Sequence, residues 1–249
     1  MKIRIIPTIL TDGLTVVKGE NFINWRTVGT AESVARVYGN RDVDELMFLD
    51  TKARKNEERI SLELVDRFAA VLNIPFSVGG GIDSVEYARQ CLRRGAEKVV
   101  LGTSAIQNPS LVYEISKEFG TQAVVVAIDM ASNFDGNALV SSGTQDSGIS
   151  VKEAIRMVTE NGAGEILLQS KAKDGTLQGY DLPSISKAVG VTDIPIIASG
   201  GCSSPENMHE AISAGAHALG VGALFQFTHH TPSSCREYLR GLGVPTRQI

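Results

Sequence analysis

Glycine-rich segments follow four short apolar runs of the sequence and are its clearest candidates for binding chemistry. They comprise Gly80 and Gly81, then Gly102 and Thr103, then Ser199, Gly200 and Gly201, and finally Gly222 and Ala223. Because glycine has no side chain, backbone N–H groups in such segments can approach a phosphate closely. Two segments in each half of the chain predict an elongated ligand with a phosphate at each end. The alternative is that the glycines only turn the chain.

An alternation of strands and helices would position these segments. The predicted strands are 3–9, 43–50, 75–80, 98–102, 123–129, 165–170, 195–201 and 218–222, and the predicted helices include 61–72, 84–95, 150–162 and 204–215. Eight such units favour an α/β fold of the (β/α)8 TIM-barrel type, in which small-molecule sites lie at the carboxyl ends of the strands. An open doubly wound sheet is the alternative, but it would require a glycine-rich turn after the first strand.

The two halves of the chain resemble each other. "NIPFSVGGGI" (73–82) matches "DIPIIASGGC" (193–202), "DELMFLD" (44–50) matches "GEILLQS" (164–170), and "RGAEKVVLG" (94–102) matches "AGAHALGVG" (214–222). The separation is 120 residues in every pair. This constant separation predicts a barrel built from two similar half-barrels. Because both halves are needed to close a barrel, we expect residues 1–249 to form a single TIM-barrel domain.

The composition excludes several classes of protein. Hydrophobic residues make up 43% and charged residues 21% of the chain, which is typical of a globular protein with a sizeable core. The net charge of −4 gives no indication of a nucleic-acid surface, and no apolar run reaches the roughly 20 residues of a membrane span. Cys91, Cys202 and Cys235 are widely spaced, which favours reduced thiols over a disulfide framework or a zinc site. We therefore expect a cytoplasmic protein with no metal and no cofactor.

The chain resembles a known family. The segments "VVKGENF", "IPFSVGGGI", "QAVVVAID", "GAGEILL", "KDGTLQGYD" and "PIIASGG" are similar to the cyclase subunit of imidazole glycerol phosphate synthase, the HisF family. The resemblance implies a TIM-barrel lyase of histidine biosynthesis whose ligand is a two-phosphate ribonucleotide, which it cleaves and cyclises. It also implies a HisH-like glutaminase partner that docks at the bottom of the barrel and supplies ammonia.

The resemblance further implies general acid–base chemistry by two aspartates, one at the end of the first barrel strand and one at the end of the fifth. Asp129 matches the second aspartate. The first is replaced: alignment on "VVKG" puts Leu10 at that position, and alignment on "DG" puts Ile9 there. Neither side chain can transfer a proton. Asp12 lies nearby on the loop side as a candidate substitute, and Lys18 matches a lysine that the family keeps near its substrate.

Other positions match loops that the family places around its substrate. They are Asp50 after the second predicted strand, the turn Ser142, Gly143 and Thr144, the strand-end residue Ser170, and Asp174 with Gly175 in "KDGT". The alternative for Lys18 and Asp174 is that each is a solvated loop charge, and the alternative for Asp50 is that it caps the next segment.

Four charged residues stand at the beginnings of predicted strands, at the end of the barrel opposite the glycines. They are Arg4, Glu45, Lys98 and Glu165. Four charges that point toward one axis would be costly unless they pair, and two cations with two anions can pair in a ring. The resemblance implies that such a ring is a gate for ammonia. The alternative is that they are unrelated, exposed charges at strand ends.

Three interpretations of function remain open at this point. The first is a divergent paralogue that receives ammonia and serves amidination of a surface-polysaccharide sugar, with a sugar amidotransferase as a further partner. The second is a genuine imidazole glycerol phosphate synthase cyclase in which Asp12 or another group replaces the missing acid. The third is a catalytically silent scaffold or activator of the glutaminase.

Overall fold

The computed structural model describes residues 2–41, 43–51, 53 and 58–247. Its strands are β1 (Arg4–Asp12), β2 (Thr15–Glu20), β3 (Ile23–Thr30), β4 (Leu46–Asp50), β5 (Phe76–Gly79), β6 (Lys98–Leu101), β7 (Val124–Met130), β8 (Asn137–Val140), β9 (Gln145–Ser150), β10 (Glu165–Ser170), β11 (Ile196–Ser199) and β12 (Ala218–Val221). Its α-helices are α1 (Ala31–Gly39), α2 (Leu62–Val71), α3 (Val85–Arg93), α4 (Thr103–Gln107), α5 (Ser110–Phe119), α6 (Val151–Glu160), α7 (Leu182–Val189), α8 (Pro205–Ser213), α9 (Ala223–Phe227) and α10 (Pro232–Gly241).

Eight parallel strands close into a barrel. The ring runs β1, β4, β5, β6, β7, β10, β11 and β12, and β12 pairs back onto β1. All eight coincide with the strands predicted from the sequence, to within a few residues at each end. The (β/α)8 fold class is therefore confirmed. None of the helices within the described ranges is long and apolar enough to cross a membrane.

Two antiparallel hairpins extend beyond the barrel, and the sequence analysis did not predict either of them. The first hairpin arm is β2–β3, which continues from β1 through the pairs Leu10–Val17 and Asp12–Thr15. The second hairpin arm is β8–β9, which continues from β7 through the pair Asp129–Leu139. Both arms rise from carboxyl ends of barrel strands, so they stand beside the mouth of the barrel.

Side chains that point into the barrel form layers, because alternate residues of a strand face the same side. Along β1 the inward residues are Arg4, Ile6, Thr8 and Leu10, and the intervening Ile9 packs outward in the core beneath the helices. Ile6 belongs to a buried apolar layer across the barrel, formed by Ile6, Met47, Val100, Val125, Leu167, Ile197 and Ala218. This apolar layer separates the charged bottom from the mouth.

The larger core lies between the barrel and its helices. Phe48 on β4 stacks on Phe68 of α2 with ring centroids 3.7 Å apart, and Phe76 on β5 meets both rings edge-on. Side-chain caps at Ser84, Ser150 and Ser204 begin α3, α6 and α8, at the residues where the predicted helices 84–95, 150–162 and 204–215 start. These contacts fix the strand ends from which the site is built.

Candidate active site at the mouth of the barrel

A cavity of about 280 Å³ occupies the mouth of the barrel. The residues from all four glycine-rich segments line it: Gly80, Gly81, Gly102, Thr103, Ser199, Gly200, Gly201, Gly222 and Ala223. The two pairs of segments stand on β5–β6 and on β11–β12. The four segments therefore meet at one cavity, and their binding of phosphates stays a prediction.

The glycines after β5 and β11 are required by the backbone itself. Gly81 has φ +65°, and an added Cβ would lie 2.2 Å from the carbonyl oxygen of Glu58. Gly201 has φ +96°, and its Cβ would lie 2.2 Å from the carbonyl oxygen of Gly179. Gly81 and Gly201 thus have a conformational role in the chain, and they also line the cavity.

Gly102 and Gly222 have a different role. Both have negative φ, −114° and −113°, so neither needs glycine to reach a left-handed conformation. A Cβ on Gly102 would meet nothing within 4 Å, whereas one on Gly222 would lie 3.0 Å from the Nζ atom of Lys18. The β6 side of the cavity is thus open in front of the backbone, and the β12 side has a cation beside it.

Asp129 stands at the end of β7 and lines the cavity. Its side chain is half-buried and faces the enclosed mouth rather than bulk water. Desolvation by the cavity walls raises the pKa of Asp129 to about 7, with a further rise from the charge of Asp174 and a smaller opposing effect of Lys171. A carboxyl with a pKa near neutrality is suited to proton transfer.

Lys18 and Asp174 form a buried pair beside Asp129. The Nζ atom of Lys18 lies 3.5 Å from Oδ1 of Asp174, and both side chains are almost fully buried while lining the cavity. The amide Nε2 of Gln169 donates to the same Oδ1 at 3.2 Å. Gln169 lies in register with Asp129 on the neighbouring strand. The buried environment indicates that Lys18 and Asp174 are not merely solvated loop charges.

On the β1 side the structure decides between the two alignments. Leu10 lines the mouth cavity, and Ile9 does not. Asp12, the candidate substitute acid, ends β1 where the first hairpin arm begins and is not among the described residues that line the cavity. The structure thus does not bring Asp12 together with Asp129, because β1 continues past the mouth into the hairpin.

The loop residues divide in a similar way. Asp50, Ser142, Asp174 and Gly175 line the cavity, whereas Gly143, Thr144 and Ser170 do not. The Ser142 hydroxyl donates to the carbonyl oxygen of Thr51 at 2.9 Å. Lys171 donates to the carbonyl oxygen of Gly143 at 2.9 Å. This turn therefore ties the second hairpin arm to two other loops at the mouth, and Gly143 contributes through its backbone.

Sequence reasoning missed the aromatic wall of the cavity. Phe22 and Trp25, both on the first hairpin arm, line the mouth together with Lys18. Phe22 has φ +65° and packs against Gly143, where an added Cβ would lie 2.6 Å from its ring. The available signal was the pair of aromatics, Phe22 and Trp25, in the segment "NFINWR".

The four strand-start charges lie together at the opposite end of the barrel. Arg4 contacts Glu45 at 2.7 Å and Glu165 at 2.6 Å, and Lys98 contacts the same two carboxylates at 3.0 and 3.3 Å. We call these four residues the charge ring. Each cation bridges both anions, so the ring compensates its own charge, and the apolar layer covers it from the cavity side. Within the described ranges, no group of three or more His, Cys, Asp or Glu residues could hold a metal ion.

A closed eight-stranded barrel whose mouth cavity carries carboxylates and glycine-rich segments has the architecture in which (β/α)8 enzymes place their active sites. The model of the "Histidine biosynthesis protein" family matches residues 4–231. The chain belongs to this family, and within it to the HisF group.

Similarity to individual relatives extends over nearly the whole chain. An imidazole glycerol phosphate synthase subunit HisF from Thermococcus onnurineus (strain NA1) is 41% identical over 245 residues, which cover 98% of this chain and 97% of the relative. The subunit of the same name from Thermotoga sp. (strain RQ2) is 42% identical over 246 residues, with the same coverage. That from Thermobifida fusca (strain YX) is 39% identical over 254 residues, covering 99% of each chain.

Proposed function

We propose that this chain is a HisF-type synthase subunit that brings ammonia to a two-phosphate ligand held in the mouth of its barrel. The proposal rests on three layers that follow one another along the barrel: the charge ring at the bottom, the apolar layer above it, and the mouth cavity with Asp129 at the top. A barrel needs only a packed interior for stability, and paired charges at its base are no better for stability than apolar packing. A path for a small polar molecule from the bottom of the barrel to its mouth would explain why the charge ring and the cavity occur together.

The ammonia source in this proposal is a HisH-like glutaminase docked at the bottom of the barrel. Rearrangement of Lys98 or Arg4 would open the charge ring, since each cation bridges both carboxylates. The ligand would lie between the segments on β5–β6 and β11–β12, with Lys18 near the phosphate on the β12 side and Asp129 beside the reacting centre.

We further propose that the ammonia acceptor lies outside the histidine pathway. Leu10 occupies the β1 position at the mouth, and loss of a general acid or base typically slows a reaction by about 10²–10⁴-fold. Amidination of a surface-polysaccharide sugar, with a sugar amidotransferase as a further partner, fits a barrel that keeps its ring but has this change at β1.

A second candidate is a genuine imidazole glycerol phosphate synthase cyclase. The identity of about 40% over 98% of the chain to subunits of that name favours it. The pKa of Asp129 near neutrality also favours it, because proton transfer remains available at the mouth.

The test uses the purified chain with the two-phosphate ribonucleotide. Calorimetric titration should show binding, and addition of ammonium salt should produce cyclisation that is slow compared with a relative such as the Thermotoga subunit. Cyclisation at the relative's rate would establish the second candidate. Absence of ribonucleotide binding, with the glutaminase activated by the chain alone, would instead identify a scaffold.

A further inference from the structure

Asp174 is a buried residue in the wall of the mouth cavity and has an unusual set of neighbours. Its Oδ1 atom receives the ion pair from Lys18 and the hydrogen bond from Gln169. Its Oδ2 atom is closed off from solvent and has no hydrogen-bond partner. An unsatisfied carboxylate oxygen in a buried place is costly, so it persists only where the surrounding structure imposes it.

Contacts with the first hairpin arm hold Asp174 in this position. The backbone N–H of Asn21, on the first hairpin arm, donates to the carbonyl oxygen of Asp174 at 2.9 Å. The next residue, Gly175, packs so closely on the arm that an added Cβ would lie 2.3 Å from the carbonyl oxygen of Gly19. Lys18 therefore holds the side chain of Asp174 and the arm holds its backbone.

The charge of Asp174 also acts on Asp129. Gln169 connects the two residues, because it lies in register with Asp129 on the adjacent strand β10 and donates to Asp174. The charged groups that face Asp129 come from several elements. Asp174 and Lys171 approach from the loop after β10, Lys18 from β2, and Asp50 lines the same cavity from the end of β4. Of these, Asp174 raises the pKa of Asp129 and Lys171 lowers it.

We propose that Asp174 is a positioning residue that enables the single carboxyl of Asp129 to act as both acid and base, in place of the carboxylate that the β1 side lacks. The ion pair with Lys18 stabilises negative charge on Asp174, and this charge keeps a proton on its neighbour. A group that is half-protonated at working pH can donate in one step and accept in the next. This inference rests on the proposed function, because it concerns the reaction of ammonia at the mouth.

The proton transfers balance in an addition of ammonia to a carbon–oxygen or carbon–nitrogen double bond of the ligand. The nitrogen lone pair forms the new C–N bond, and the π electron pair moves to the heteroatom. Asp129 gives that atom its proton, and the resulting carboxylate then takes a proton from the new ammonium centre. The pair Asp129 and Asp174 begins and ends the cycle with the same number of protons.

The first test is a titration that needs no ligand. Aspartate carboxyl carbons are labelled with ¹³C, and Asp129 is assigned by its loss in Asp129→Asn. In the unsubstituted chain Asp129 should titrate at about pH 7. Asp174→Asn should move that titration toward the ordinary range of an aspartate, Asp174→Glu should restore it in part, and Asp193→Asn, which changes an exposed carboxylate outside the cavity, should leave it unchanged. An identical titration in the unsubstituted chain and Asp174→Asn overturns the inference.

The second test is single-turnover conversion of the two-phosphate ribonucleotide with ammonium salt at high protein concentration. We expect slow conversion whose rate against pH follows the titration of Asp129 and shifts to lower pH in Asp174→Asn. Conversion that is slowed in Asp174→Asn with no shift of the pH profile would indicate a purely structural role and overturn the inference. A chain that binds the ribonucleotide but never converts it also overturns the inference, while leaving the proposed ligand site intact. Absence of binding overturns the proposed function instead, and the titration still decides the role of Asp174.

Discussion

Leu10 and Asp129 occupy equivalent positions in the two halves of the barrel. Leu10 lies in register with Leu49 of β4, and Asp129 lies in register with Gln169 of β10. Leu49 and Gln169 are themselves separated by the 120 residues that relate the two halves. The mouth therefore has one ionisable strand end and one apolar strand end at matching places.

Leu10→Asp should raise ammonia-dependent cyclisation of the two-phosphate ribonucleotide. The new carboxylate would face the cavity from the side opposite Asp129 and restore a second acid–base group, a contribution of about 10²–10⁴-fold when fully aligned. The rate is measured with ammonium salt in place of the glutaminase. Leu10→Asn is the matched control, because it has nearly the same shape as the aspartate and cannot exchange a proton. Equal rates in the two variants would show that the β1 position plays no part in proton transfer.

Asp129→Asn should abolish turnover yet stabilise the fold at alkaline pH. The folded-state pKa of Asp129 is raised to about 7 from 3.8, so the folded chain binds more protons than the unfolded chain between these values. Stability is therefore lost as pH rises through this window, and the cost stays in full above it. Asparagine carries no such cost.

We expect the melting temperature of Asp129→Asn to exceed that of the unsubstituted chain at pH 8 by a few degrees, since about 1 kcal/mol corresponds to ~2–4 °C at this size. The difference should shrink as pH falls toward 4. Asp193→Asn, which changes an exposed carboxylate, provides the control and should show no such pH-dependent gain. A pH-independent difference would mean that Asp129 is ionised in the folded protein at neutral pH.

The sequence was sufficient for the barrel because each barrel strand is a short apolar run between amphipathic helices. It was also sufficient for the composition of the charge ring, since Glu45 and Glu165 are related by the internal repeat. The sequence did not show whether Leu10 or Ile9 stands at the β1 position of the mouth. The halves match at a separation of 120 residues in most strands, but the register places Leu10 opposite Asp129 at a separation of 119.

The hairpin arms and the buried pair were also out of reach of sequence reasoning. β3 is exposed along most of its length, and its alternation of apolar and polar residues stops at Thr27, so the pattern is too short to identify a strand. Lys18 and Asp174 are 156 positions apart in the chain, and only closure of the barrel brings them together. Interactions of this kind depend on tertiary packing rather than on any local pattern.

Substitutions in the charge ring should separate its contribution to stability from its proposed role in ammonia transfer. Lys98→Met leaves two mostly buried carboxylates with Arg4 as their shared cation, which should cost about 3 kcal/mol of unfolding free energy. Lys98→Met combined with Glu165→Gln removes one charge of each sign and should recover much of that loss. Both variants lack the Lys98 bridges.

The measurement that follows is the ratio of glutamine hydrolysed to ammonia incorporated, in the complex with the glutaminase. If the ring gates ammonia, the ratio should rise in the double variant although its stability is nearly normal. A normal ratio in a stable double variant would assign the ring a structural role only. Lys117→Met, a change of an exposed lysine on α5, serves as the control for general effects of losing a positive charge.

Gly102→Ala offers the sharpest test of the anion site on the β6 side. Its Cβ meets no protein atom within 4 Å, so it would project into the mouth cavity without a steric clash. We expect affinity for the two-phosphate ribonucleotide to fall by about tenfold, equivalent to ~1.4 kcal/mol, because the methyl group keeps the phosphate away from the backbone N–H groups.

Gly241→Ala is the matched control, since its Cβ also meets nothing within 4 Å but lies at the end of α10, outside the cavity. Gly201→Ala would not discriminate, because its Cβ collides with the backbone of Gly179 whether or not a ligand binds. Titration calorimetry at one salt concentration measures both variants, and equal affinities for Gly102→Ala and Gly241→Ala would remove the β6 segment from the ligand site.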